Sequence, residues 1–281
     1  MVKMLGGGAI AAVACGACAL ALGAVLLHVD TARYPASATA PGSAAASGSA
    51  GGGQGGGGHG GIDPGGVGST EAGTTVKEST VNLAIELDTM AILRAQGYRV
   101  VVSRTQNTTV TRLTPADVDG SLLTTQGVHN DVAARDVCAN MAKANVLVGI
   151  YMDSGEPWNA GCLTGYDQDR PFSGENQRLA TLLQDDVLGA MNARGWNIPD
   201  DGVQPGTGLG SALTAAAEAY GHLLLLGPAK AGYFDTPSQM PGALIEPLFL
   251  TDPFEASIAA SAGGQQVIAG ALAEAIEQYF K

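Results

Sequence analysis

Ala243-Leu244-Ile245-Glu246-Pro247-Leu248-Phe249-Leu250 is the stretch on which the fold turns. A run this short and this apolar reads as a strand covered on both faces, and such strands belong to parallel sheets flanked by helices. Working upstream, His222 to Leu226 (His-Leu-Leu-Leu-Leu) reads the same way. So do Asn145 to Tyr151 (Asn-Val-Leu-Val-Gly-Ile-Tyr) and Tyr98 to Ser103, which holds Val100-Val101-Val102. Between these runs the period changes. Ser79 to Gln96 carries Leu83, Leu87, Met90, Ala91 and Leu93 with Glu86, Asp88 and Arg94 between them, and Gly97 closes it as a helix. Asn130 or Asp131 is expected to cap a second helix running to Lys143. Ser173 opens a third, with Leu179, Leu182, Leu183, Val187, Leu188 and Met191 on one face and Gly195 at its end. Residues 211 to 220 predict a short helix, and Glu255 to Tyr279 a closing one. Strands alternating with amphipathic helices predict an α/β domain of three layers, a mostly parallel sheet with helices on both faces. In that architecture the functional residues gather at the carboxyl ends of the strands.

Glu246 stands out in this frame. A carboxylate inside an otherwise apolar strand is costly unless it is paired or coordinating. It is the strongest candidate for function that the residues alone supply, with a structural ion pair as the plain alternative.

The rest of the chain is organised around this domain. Lys3 is followed by an uncharged apolar run from Leu5 to Leu27, long enough to span a bilayer as a helix. Residues 1–30 therefore read as a transmembrane anchor, with a cleaved signal peptide as the alternative. Residues 31–58 form a tether, and 35 to 58 are almost entirely Ala, Gly, Ser, Pro and Thr. Such a composition cannot bury enough apolar surface to offset its ordering entropy. Residues 59–281 are the globular domain. Of the chain's 281 residues 46% are hydrophobic, enough for one core, and much of its complement of 41 glycines sits in the tether. The net charge of −12 argues against nucleic acid, and no polybasic run favours anionic lipid, so membrane contact is expected through the N-terminal segment only. Cys15 and Cys18 lie in the apolar run, where small-residue packing is the expected role. Cys138 and Cys162 lie in the domain, and an oxidising compartment would permit either a disulfide or two buried thiols.

Several catalytic signatures are absent: a Walker A loop, G-x-S-x-G, H-E-x-x-H, and G-x-G-x-x-G between strand and helix. What remains is a set of polar residues at element ends. His59 opens Gly58-His59-Gly60-Gly61-Ile62-Asp63-Pro64-Gly65, Glu78 precedes the first helix, and Tyr151 ends a strand. Each has a plainer reading: a solvated tether residue, a helix first-turn carboxylate, and a rim tyrosine. His129 reads as surface, His222 as a core or edge histidine. Trp158 and Trp196 could line a binding groove or simply pack. Arg170 is a weaker candidate for contact with a carboxylate.

In order and spacing these motifs resemble the zinc-dependent N-acetylmuramoyl-L-alanine amidases. That family begins Asp-Pro-Gly-His-Gly-Gly, soon followed by Asp-Pro-Gly, which Gly58 to Gly65 match from the glycine before the histidine. A Glu heading a long helix, then Gly and a strand ending in Ser/Thr-Arg, is matched by Glu78, Asn82, Leu83, Ala84, Gly97, Tyr98, Val100 and Ser103-Arg104. Arg135, Ala139-Asn140 and Val148-Gly149-Ile150-Tyr151 fall in the register of the Arg, the Ala-Asn and the Ser-Ile-His strand. Leu244-Ile245-Glu246-Pro247-Leu248-Phe249-Leu250-Thr251-Asp252 resembles the family's Leu-x-Glu-x-Gly-Phe-x-x-Asn. Two features depart from the pattern: Tyr151 stands where the family has its second His, and no apolar strand precedes His59. The resemblance implies an extracytoplasmic peptidoglycan hydrolase, expected as a monomer, anchored or secreted to the cell wall. It implies Zn²⁺ held by His59, Glu78 and Tyr151, with Glu246 as the catalytic acid/base. Asp153 could replace Tyr151 only if the strand end bends. The rival expectations are a catalytically impaired relative that binds peptidoglycan or regulates its hydrolysis, and a zinc hydrolase of another amide.

Overall fold

The structure, a computed structural model, describes residues 76–119, 122–208, 217 and 220–281. The anchor, the tether, His59 and almost all of the helix expected at 211 to 220 lie outside the described residues. Among the described residues no helix is long and apolar enough to cross a membrane.

In chain order the elements are α1 (Glu78–Ala95), β1 (Val118–Asp119), β2 (Leu122–Leu123), α2 (Thr125–Ala142), β3 (Leu147–Ile150) and β4 (Cys162–Tyr166). They continue with α3 (Ser173–Asn192), β5 (Asp200–Pro205), β6 (Gly242–Glu246), α4 (Pro253–Ala260) and α5 (Ala262–Tyr279). β1 and β2 form a small antiparallel ribbon, and the central sheet has the order β3-β6-β4-β5. β3 pairs in parallel with β6 and β4 in parallel with β5, while β4 and β6 are antiparallel. Alternation along the strands fills two cores. Val148 and Ile150 of β3 with Ala243 and Ile245 of β6 face α1, α3 and α5. Leu147 and Leu244 face α2 and the segment from Ala217 to Met240. The expected three layers are present, with helices on both faces.

The differences from the sequence reading have local causes. The first helix buries Val81, Ile85 and Leu93 together with Glu78, Asn82, Glu86 and Thr89, rather than its Leu83–Leu87 stripe. A polar row at 78, 82 and 86 recurs every four residues and so occupies one face. α2 starts at Thr124, whose hydroxyl accepts the N–H of Gly127, and not at Asn130 or Asp131. Asp131 serves instead as a buried partner within the helix. Tyr98 to Ser103 carries only single-residue bridges, at Arg99 and Ser103, and makes no strand of the described sheet. His222 to Leu226 is a chain of turns rather than a strand, closed by the N–H groups of Leu226 and Gly227 on the Leu223 carbonyl. Its leucines are buried, which is why it reads as a strand. The closing helix breaks in two at Ser261, whose hydroxyl caps α5 on the N–H of Gly264.

β4 and β5 are not legible as apolar runs, because polar side chains hold them. Gln184 of α3 donates to the Cys162 carbonyl (2.8 Å) and to Asp200 (2.7 Å), and accepts from Thr164 (2.8 Å). One buried amide thus ties both strands to the helix above them. Replacing it by leucine strands the Thr164 hydroxyl and a carbonyl in an apolar site. The expected loss is about 2–3 kcal/mol, read as a lower urea midpoint at unchanged slope. Cys138 and Cys162 form no disulfide with each other.

Candidate active site

The parallel pair β3–β6 brings the sequence-predicted residues to one sheet edge. The register pairs Ile150 with Ile245, and the Tyr151 N–H donates to the Ile245 carbonyl at 2.9 Å. Tyr151 and Glu246 are the next residues along their strands, so they end adjacent strands on the same face. Glu78 arrives from the first turn of α1. Its Oε1 accepts the Met152 N–H and the Asn82 amide, each at 3.1 Å. The Glu78 carboxylate therefore sits over the backbone that follows Tyr151. His59 lies outside the described residues, so Glu78, Tyr151 and Glu246 are the members of the expected set that can be placed.

Gly149 sets the Tyr151 ring. A Cβ at Gly149 would lie 3.0 Å from Cε2 of Tyr151 and 2.8 Å from the Leu225 side chain. The ring folds back over the strand there, and no larger residue fits beneath it. Burial pushes the Tyr151 phenol up to about 12, against the Arg135 guanidinium, which lowers it; Glu78, Asp131 and Asp136 add to the rise.

Arg135 belongs to a buried charge network along α2. It pairs with Asp131 one turn away at 2.8 Å, and Asp131 also accepts the N–H groups of Val110 and Thr111. Asp136, fully buried and without a hydrogen-bond partner on either oxygen, is raised well above the usual carboxylate range by burial, which Arg170 and Arg135 oppose. Arg170 is turned inward and donates to the carbonyls of Leu226, Gly227 and Ser238. It locks the 222 to 238 turns in place and is not free to meet a peptide carboxylate.

Glu246 is enclosed, and its Oε2 has no hydrogen-bond partner. Burial pushes its carboxyl up to about 8, with the negative charge of Asp153 adding to the shift. Asp153 is itself pushed up to about 6 by burial. It extends the β3 direction beyond Tyr151, bridging to Phe249, and accepts the Ser154 N–H at 2.6 Å. Glu255 of α4 stands nearby and accepts the N–H groups of Phe249 (2.6 Å) and Gly161 (3.0 Å). Sequence reading missed Glu255, read Asp131 only as a helix cap and used Gly149 only for its register. The apolar run around Glu246 and the register of Arg135 were the available signals; nothing local to Glu255 distinguishes it from an ordinary first-turn carboxylate.

Profile comparison places residues 57–278 in a single family described as N-acetylmuramoyl-L-alanine amidase. The chain belongs to the N-acetylmuramoyl-L-alanine amidase family. Its reaction class is peptidoglycan hydrolysis at the amide between N-acetylmuramic acid and L-alanine. Solved structures agree on the fold. The CwlD amidase of Clostridioides difficile, in complex with the GerS lipoprotein, is 21% identical with a TM-score of 0.57, covering 79% of this chain and 94% of that one. An N-acetylmuramoyl-L-alanine amidase of Clostridium difficile 630 is 22% identical with a TM-score of 0.52, covering 78% and 94%. The AmiC2 amidase of Nostoc punctiforme is 20% identical with a TM-score of 0.51, again covering 78% and 94%. No curated protein matches the sequence.

For zinc, the residues of this edge fit in part. Glu78 is a buried carboxylate of ligating type directly over the strand end, whereas the Tyr151 phenol must first lose a proton that burial holds. The one group of three potential ligands with donor atoms within 4.8 Å among the described residues is Asp167, Asp169 and His222. It follows β4, which runs against β6, and so lies at the opposite sheet edge from Glu246. There Asp167 is already satisfied, by His222 at 2.8 Å and by the Asp169 N–H at 2.8 Å.

Proposed function

We propose that this chain is a zinc-dependent muramoyl-alanine amidase of the cell envelope, anchored by residues 1–30 and acting as a monomer on peptidoglycan. His59, Glu78 and Tyr151 would hold the metal and Glu246 would carry the protons. The observation that most supports this is Glu246: a half-buried carboxylate whose Oε2 is enclosed without a hydrogen-bond partner, ending the strand beside Tyr151. Zinc, when bound, would polarise the scissile carbonyl and lower the pKa of a water at its open position. Glu246 removes the proton of the attacking water and returns it to the alanine nitrogen as the C–N bond breaks. The products are a lactyl carboxylate on the sugar and a free amine on the stem peptide. Asn82 and the Met152 N–H fix the Glu78 carboxylate in orientation, and Arg135 favours the phenolate form of Tyr151. The tyrosine position also motivates the second reading, a relative that binds peptidoglycan without cutting it.

Metal content separates the two. About one zinc per full-length chain after dialysis against trace zinc is expected. Glu78→Gln should weaken that binding by about 10–100-fold or more in a competition titration. Tyr151→His should tighten it. A wild type with no zinc and no digestion of peptidoglycan, rescued in both respects by Tyr151→His, would establish the binding module instead.

A further inference from the structure

The loop that follows Asp153 carries an aromatic side chain into solvent at the edge of the proposed site. Trp158 is 77% exposed, and Phe254 at the start of α4 is 52% exposed. Among the described residues only three large hydrophobic side chains are exposed, and these two lie on segments tied to each other. The loop is not a loose tip. The Gly155 N–H donates to the Thr251 hydroxyl at 2.9 Å, the Gly161 N–H donates to Glu255 at 3.0 Å, and a turn closes it from the Asn159 N–H to the Glu156 carbonyl at 2.9 Å. Both ends are thereby pinned to the segment that carries Phe254, and the loop leaves directly from Asp153, whose charge acts on Glu246. Gly161 is required at the second pin. Its φ of +149 and the Asp201 carboxylate lying where a Cβ would project both exclude a side chain.

We propose that Trp158, with Phe254 beside the same pinned loop, is a platform for a neutral sugar ring of the glycan strand. This rests on the peptidoglycan reading of the site. An aromatic face takes the apolar C–H face of a pyranose, while carboxylates around it accept its hydroxyls. Asp153, Glu156 and Asp201 supply such acceptors, and the chain's net charge of −12 disfavours an anionic polymer. The same charge acts on the product. Cleavage turns a neutral lactyl amide into a carboxylate, so the cut strand is held less well than the peptide-bearing one.

The test uses intrinsic fluorescence, because the chain has two tryptophans. In full-length Trp196→Phe protein, the remaining Trp158 signal should shift saturably with chitotetraose, a neutral N-acetylglucosamine oligomer, and not with free stem peptide. Trp158→Phe should lose that response. On glycan polymer, Trp158→Ala should raise KM about three- to tenfold and change kcat less. No response to chitotetraose, or a response to stem peptide alone, would overturn the platform. The titration needs no turnover, so a sugar response in a protein that digests nothing would retain the platform and refute the hydrolase.

Discussion

Replacing Glu246 by glutamine is expected to abolish peptidoglycan digestion, by about 10³-fold or more in kcat/KM, while making the metal-free protein more stable at alkaline pH. The activity loss follows from removing the group to which the proposed mechanism assigns proton transfer. The stability gain follows from the raised carboxyl pKa. Burial and the charge of Asp153 push the Glu246 carboxyl up to about 8 in the folded chain, from an ordinary 4.5. Between those values the folded state holds a proton that the unfolded state has lost, so ∂ΔG/∂pH is negative there. The protonated Glu246 contribution is complete below about pH 4.5 and is lost as pH rises through about 8. Glutamine mimics the protonated form at every pH. The variant should match the wild type near pH 4.5 and exceed it above pH 8 by roughly 2–4 kcal/mol, read from urea midpoints in the presence of chelator. An active Glu246→Gln enzyme would remove Glu246 from the mechanism. A variant less stable than wild type at pH 9 would show that the ionised carboxylate is satisfied by a partner.

Arg135→Met should produce the largest loss of stability among single substitutions in α2. The guanidinium is buried, pairs with the buried Asp131 at 2.8 Å, and acts favourably on Tyr151 and Glu86. Methionine fills similar volume but leaves Asp131 with its two backbone donors and no cation. Breaking a buried pair from one side costs about 3–5 kcal/mol. Asp131→Asn should cost less, since the amide oxygen can still accept from Val110 and Thr111. If the Tyr151 reading holds, Arg135→Met also weakens zinc binding, because the charge that favours the phenolate is gone. A small stability change with intact zinc binding would mean that water enters and solvates Asp131.

The central layer of this fold follows from sequence patterning. Leu147 to Ile150 and Gly242 to Ile245 are apolar enough to be buried on both faces, and the helices between them carry a 3.6-residue period. Glu246 announces itself because a carboxylate in that setting is expensive. Patterning misled where burial was not apolar. The inner face of α1 is lined by Glu78, Asn82 and Glu86, and that of α2 by Asp131, Arg135 and Asp136. Asn82 on Glu78 and Arg135 on Asp131 are one-turn pairs, but the groups that complete them, the Met152 and Val110 N–H, lie far along the chain, so no local rule turns the pairs inward. The 222 to 226 leucines read as a strand because burial, not pairing, is what their composition encodes; Arg170 on their carbonyls makes them turns.

By itself the sequence determined the class of the domain, the α/β alternation, the residues at two strand ends and the family to which they belong. Tertiary structure alone decided which of those residues meet. The parallel register of β3 and β6 sets Tyr151 beside Glu246, and the Met152 N–H holds Glu78 at the end of β3, where its charge acts on Tyr151. It also decided the acidity of the site, since the rise of Glu246 to about 8 comes from enclosure and from Asp153, on a different strand. Desolvation and through-space charge depend on distances that only the folded chain fixes.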